Sequence, residues 1–201
     1  MLAGKWLYIV GGYDPSGPNI SPSIDALDTT LPADNGSNGG QIVHTNTPTN
    51  AIPRYGHAGI TLSSTSLLIV GGHDDTTNFL TSMQKYTVDS SAGTVTSVTT
   101  AQNLATARMR FPLVGAVGAA NKFLVFGGST AMASGGDTAS NSIELIDATG
   151  TLSASSFGTL QSARQGERVA DLQSNLNSAN SLFVIAGGAS QTGGVEVVAG
   201  P

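Results

Sequence analysis

Charge is scarce in this chain. Asp, Glu, Lys and Arg make up only 10% of its 201 residues, against about 25% in ordinary globular proteins. Apolar residues reach 39%, so the scarcity is not the high-charge, low-hydrophobicity signature of a disordered chain. Solubility falls to Ser, Thr, Asn and Gly, the composition of a turn-rich protein of extracellular type. The net charge is −5 and the 8 Lys and Arg are scattered, with only Arg108 and Arg110 close together. A basic surface for nucleic acid is therefore not expected. Cysteine is absent, which excludes disulfides and thiolate metal sites and is compatible with either a cytosolic or an exported protein. No apolar run approaches the roughly 20 residues that span a bilayer. The opening Met1-Leu2-Ala3-Gly4-Lys5 runs straight into a strand and does not read as a signal peptide. The chain thus either stays inside the cell or begins after a processed or missing segment. Sustained helical periodicity is also lacking.

What is abundant is glycine, 26 residues of it, and part of it is periodic. A short apolar run ending in two glycines is written four times: Trp6-Leu7-Tyr8-Ile9-Val10, Leu67-Leu68-Ile69-Val70, Phe123-Leu124-Val125-Phe126 and Leu182-Phe183-Val184-Ile185-Ala186. The glycines are Gly11 and Gly12, Gly71 and Gly72, Gly127 and Gly128, and Gly187 and Gly188. The first glycines stand 60, 56 and 60 residues apart. Each run is too short for a helix and suits a strand covered on both faces. The glycines permit backbone angles closed to other residues and a close approach of neighbouring chains.

Other signals recur in step. Arg54, Arg108 and Arg164 precede their double glycines by 17, 19 and 23 residues. His57, Phe111 and Glu167 stand three residues beyond those arginines. Asp25, Gln84, Glu144 and Glu196 occupy a common position in the strand after each double glycine, flanked by apolar residues. The order of strands is arginine-led, Gly-Gly, acidic-position, variable. It predicts an all-β chain of about four four-stranded units, at about 1–52, 53–106, 107–162 and 163–201. Four-stranded units at this period are the mark of propeller blades. Long turn-rich loops are expected at 13–18, 31–40 and 129–140.

With these residues in view, the chain resembles the kelch-repeat β-propeller family over essentially its whole length. The carriers are the double glycine after an apolar strand, Ser142, Glu144 and Asp147 as a Ser-x-Glu-x-x-Asp motif, and the leading arginines. A departure is the outer-strand tryptophan: Val98 and Phe157 stand where it is expected, while the single Trp is Trp6. The first unit lacks an arginine-led strand and the last lacks an outer strand, which gives about 14 strands in an open arc. The expectation is part of a longer chain, or an arc completed by another subunit, because unpaired strand edges need covering. A strained four-bladed ring is the third possibility.

The candidate chemistry is thin. The histidines are His44, His57 and His73, none with a second ligand at metal-binding spacing. His57 reads as a packing position of the repeat. The segment His73-Asp74-Asp75 follows a double glycine, as does Asp14 in the first unit, and these four form a possible ligand loop. The third and fourth units have Ser129 and Thr130, and Ala189 and Ser190, at that place. The arginines, Glu144 and Glu196 read as hydrogen-bonding partners within their own units. The resemblance includes kelch-like copper oxidases, whose Cys–Tyr cofactor cannot form without cysteine. No hydrolase, zinc-protease or phosphate-loop motif appears. The expectation is accordingly a non-catalytic scaffold without metal or cofactor, presenting its loops to a protein or glycan partner outside the cell. A structural component of a surface layer, appendage or virion is the alternative, and a fragment of a propeller enzyme the third reading. Asn19-Ile20-Ser21 and Asn35-Gly36-Ser37 are glycan-acceptor tripeptides of a kind common by chance.

Overall fold

The computed structural model describes residues 1–14, 20–30, 42–74, 78–100, 102–116, 120–133, 136–172, 182–189 and 194–201. Asp75, Asn19, Ser190, the loop at 31–40 and the second acceptor tripeptide lie outside them. The described residues form strands and no helix, in four antiparallel sheets. The first sheet is β1 (Leu2–Ala3), β2 (Trp6–Val10), β3 (Ile24–Asp28) and β4 (Ile42–Asn46). The second is β5 (Ala58–Ser63), β6 (Ser66–Val70), β7 (Met83–Val88) and β8 (Val95–Thr100). The third runs β9 (Leu113–Gly115), β10 (Lys122–Phe126), β12 (Gly136–Asp147) and β13 (Ser153–Arg164), with β11 (Ser129–Ala133) on the early part of β12. The fourth is β14 (Arg168–Asp171), β15 (Leu182–Ala186) and β16 (Val195–Ala199). The first, second and fourth sheets are simple meanders, the third inserts β11 between β10 and β12 in sequence, and β1, β5, β9 and β14 contact one another in succession. This is the blade order of a propeller arc, with first strands innermost.

Two expectations need correction. The first unit does have an innermost strand, the two-residue β1, held by pairing Leu2 with Leu7 and Ala3 with Trp6. The 129–140 stretch is a hairpin rather than a loop: Met132 pairs with Asp137 and Ser129 with Ala139. Its Ser, Ala, Thr and Gly residues carry no apolar alternation, so nothing in its pattern betrays a strand. The backbone ladder is joined by a hydrogen bond that the Thr130 hydroxyl donates to the Thr138 carbonyl at 3.3 Å.

The core lies between the sheets and follows a parity rule. In each double-glycine strand the residues at the second and fourth places face the preceding unit, and those at the third and fifth the following one. Thus Leu67 and Ile69 pack with Trp6, Tyr8, Ile24 and Ala26 of unit 1. Leu68 and Val70 instead join Met83, Phe123 and Val125 at the next junction. Leu124 and Phe126 then meet Phe183 and Ile185, the two Phe rings lying 5.5 Å apart. Three cores therefore join four units. Among the described residues no core cluster joins unit 4 to unit 1.

Candidate functional site

The repeated arginines and glycines form a stitch between units. The backbone carbonyl of each arginine accepts a hydrogen bond from the second glycine of the preceding unit: Gly12 to Arg54 at 3.1 Å, Gly72 to Arg108 at 2.8 Å, Gly128 to Arg164 at 2.8 Å. A Cβ on the first glycine would meet that same carbonyl at 2.5 Å for Gly11, 2.7 Å for Gly71 and 2.8 Å for Gly127. All these glycines have positive φ, so both space and backbone angle demand glycine.

The guanidinium turns the other way, into its own unit. Arg54 Nη1 donates to the Gly71 carbonyl at 2.7 Å, and Arg164 Nη1 to that of Gly187 at 2.9 Å. Arg108 Nη1 does the same at Gly127. The acidic-position residue completes the arrangement by accepting amides of the incoming crossover. Glu144 takes those of Ala105 and Thr106, at 2.7 and 3.1 Å, and Glu196 those of Gln161 and Ser162, at 2.6 and 3.2 Å. Glu144 and Glu196 are ion-paired with Arg108 and Arg164. In unit 2 the partner is the neutral Gln84, 2.9 Å from Arg54. Burial lowers the Arg54 guanidinium to a pKa of about 10, and it depresses Arg108 as well against the pull of Glu144. These guanidinium groups direct their hydrogen bonds to protein.

The residues just beyond the arginines are different. Gly56, Arg110 and Gly166, two places on, hydrogen-bond in succession: Arg110 donates its amide to the Gly56 carbonyl at 2.8 Å, and Gly166 donates to the Arg110 carbonyl at 2.9 Å. All three have left-handed φ, at 62°, 55° and 67°. Arg110 is the one non-glycine in this belt, and a side chain there costs about 1–2 kcal/mol. Its half-exposed guanidinium lies 2.7 Å from Asp137 on the β11–β12 hairpin.

One place further, His57, Phe111 and Glu167 wedge between successive double glycines. A Cβ on Gly11 would meet the His57 ring and one on Gly72 the His57 Cβ; a Cβ on Gly71 or Gly128 would meet Phe111, and one on Gly127 or Gly188 would meet Glu167. Burial and the charge of Arg54 push the His57 pKa down to about 4. Among the described residues its Nδ1 has no hydrogen-bond partner. Glu167 is 1% exposed, and neither carboxyl oxygen has a hydrogen-bond partner among the described residues. Burial raises its pKa. The amides of Glu167 and Gly128, with Arg164 and Arg108, pull the other way without reaching hydrogen-bond geometry. Gly56, His57, Arg110, Phe111, Glu167 and Arg168 line a cavity of about 560 Å³ where the crossovers enter the innermost strands of units 2, 3 and 4.

Of the expected ligand loop, Asp14, His73 and Asp74 do not line this cavity, and Asp75 lies outside the described residues. His73 is buried in an aromatic row, with ring centroids 5.2 Å from Tyr55 and 5.0 Å from Phe79. Asp74 closes its own turn by accepting from the Asn78 amide and side chain at 2.9 and 3.0 Å. Asp14 is exposed beside Tyr13, which stacks 5.6 Å from Tyr55. Sequence reasoning passed over Arg110 and Glu167 as site residues. The readable signal was the place two beyond each arginine, glycine in two units and arginine in the third.

No protein-family model matches the chain, and no curated protein matches it. Among solved structures it is similar to a fungal enzyme described as "Novel fungal alcohol oxidase with catalytic diversity among the AA5 family, in complex with copper". The TM-score is 0.61 at 17% identity, over 87% of this chain and 34% of that one. The fold is thus that of an all-β propeller arc. The chain spans about a third of the oxidase's length.

The expectation of a non-catalytic chain is corrected by this likeness, since a neighbour with the same arc is an oxidase. The residues described do not fit copper: no three His, Cys, Asp or Glu side chains among them converge as ligands. The His73 Nδ1 is 2.5 Å from the Asp74 carbonyl. No helix among the described residues is long and apolar enough to cross a membrane.

Proposed function

We propose that the chain is a kelch-like propeller scaffold that binds a hydroxyl-rich ligand, a glycan, in the cavity between units 2, 3 and 4. The observation that carries this reading is that Glu167, a residue of the cavity lining, has its carboxyl buried without a hydrogen-bond partner among the described residues. A buried polar group of this kind costs roughly 1–3 kcal/mol unless something satisfies it. Sugar hydroxyls both donate and accept, so they serve Glu167 and the guanidinium groups of Arg110 and Arg168 alike, while Phe111 offers an apolar face. The strained Arg110 adds support, because left-handed side chains persist where the site needs them. The low charge and Ser/Thr-rich composition favour an extracellular setting.

The test is calorimetric titration of the chain with a panel of neutral mono- and oligosaccharides. Binding is expected for at least one sugar at about millimolar Kd or tighter. It should be lost in Glu167→Gln and weakened at least tenfold in Arg110→Gly, which retains the belt. Silence across the panel, or full binding by both variants, would overturn the reading. Product analysis of the bound sugar then reports whether binding is accompanied by turnover.

A further inference from the structure

The stretches that follow the double glycines of units 2 and 3 line a second cavity, of about 380 Å³. Its described lining is His73, Phe79, Thr130, Ala131 and Met132, with no charged side chain among them. On one side the His73 backbone is bridged to both Tyr55 and Phe79, and the Phe79 ring stands edge-on to the imidazole at 81°. On the other side is the β11–β12 hairpin, where Met132 pairs with Asp137, itself anchored by Arg110. Met132 is 49% exposed, whereas His73 is only 5% exposed. The His73 Nδ1 faces the Asp74 carbonyl, and a carbonyl only accepts. That contact places the proton of the neutral ring on Nδ1 and leaves Nε2 as an acceptor. Among the described residues no donor is bonded to Nε2.

We infer that this cavity binds a neutral aromatic ring bearing a hydroxyl, a small phenol, with the hydroxyl donating to His73 Nε2. Phe79 supplies an aromatic contact, and the polarisable Met132 thioether packs favourably on a ring edge. A charged ligand would find no counter-ion in this lining. An aromatic ligand without a donor would leave Nε2 covered and unsatisfied. A saturated ring would forgo the ring and sulfur contacts. The volume falls in the range of small-molecule pockets, about 300–1,000 Å³. This inference stands on His73 and its cavity and is independent of Glu167 and the glycan reading.

Calorimetric titration of the chain with para-cresol tests it, beside para-methylanisole, whose hydroxyl is capped, and cyclohexanol, whose ring is saturated. The cresol is expected to bind at about millimolar Kd or tighter, and each analogue about tenfold more weakly. His73→Phe keeps an aromatic ring and removes the acceptor, so the cresol should lose its advantage over the anisole. Met132→Ala, at a half-exposed position of the hairpin, should weaken both aromatic ligands and leave thermal unfolding unchanged. Glu167→Gln should leave all three affinities as they are, which separates this cavity from the first. Absence of saturable cresol binding would overturn the inference. So would equal affinity for either analogue, a preference that survives His73→Phe, or cresol binding lost with Glu167→Gln. The wild-type comparison of the three ligands decides the matter even where a variant does not fold.

Discussion

The double-glycine strands of the middle units and of the end units have the same composition and different surroundings. β6 is buried at every position, and β10 at every position after Lys122. In β2 burial alternates, Trp6 and Tyr8 inside and Leu7 and Ile9 outside, and β15 alternates likewise. An apolar residue at each place of a strand makes sense when a sheet packs on both faces. The end strands carry the composition for two neighbours, and among the described residues their core clusters join them to one.

The comparison breaks most visibly at one equivalent pair. Leu67→Ala removes a fully buried side chain and should cost about 2–5 kcal/mol by denaturant unfolding. Leu7→Ala, at the same place in unit 1 but partly in water, should cost less than about 1 kcal/mol in the isolated chain. Equal costs would mean that the end face is covered.

Titration distinguishes the junctions next. His57 is neutral in the folded chain, with a pKa of about 4 against an ordinary 6.5. Its contribution is intact above 6.5 and is lost as pH falls toward 4, because the unfolded chain takes up the proton first. At about 1.4 kcal/mol per pH unit the loss is up to about 3 kcal/mol. His57→Phe, which copies the Phe111 of the next junction, should flatten the stability profile between pH 7 and 4. Glu167 acts with the opposite sign: its raised pKa makes the folded chain lose stability as pH rises above the ordinary carboxyl range.

The smallest effect sharpens the glycine argument. Gly127→Ala and Gly187→Ala both place a side chain at positive φ, but only the first meets a following unit. A Cβ at Gly127 would collide with the Arg164 carbonyl and the Glu167 carboxyl, whereas one at Gly187 has nothing within 4 Å. The shared backbone strain should cancel, leaving Gly127→Ala worse by about 1–3 kcal/mol in thermal unfolding. A difference near zero would show that the glycine serves backbone angle alone.

Much of the architecture was legible because the repeat wrote it several times. The apolar runs, the arginines and the acidic positions recur at fixed order, and that order is the strand order of each sheet. Parity was not legible, since both faces of a middle strand are apolar and nothing in Leu67-Leu68-Ile69-Val70 says which side meets which neighbour. β1 was missed because two residues are too few to show alternation. The candidate site was half visible. The spacing set His57, Phe111 and Glu167 in register, but it could not say that Glu167 would be left without a partner. Arg110 was hidden because an arginine in sequence gives no sign of a left-handed backbone, and only its glycine equivalents hinted at it.

The arginine stitch also bears on how such a chain grows. Each arginine holds the preceding unit through its carbonyl and its own unit through its guanidinium, so a joint is made within one short crossover. A tandem duplication of any window of 56 to 60 residues, wherever its ends fall, therefore copies one complete joint along with one sheet. Lengthening by gene duplication needs no new fastening to be invented, and the breakpoint is free to wander.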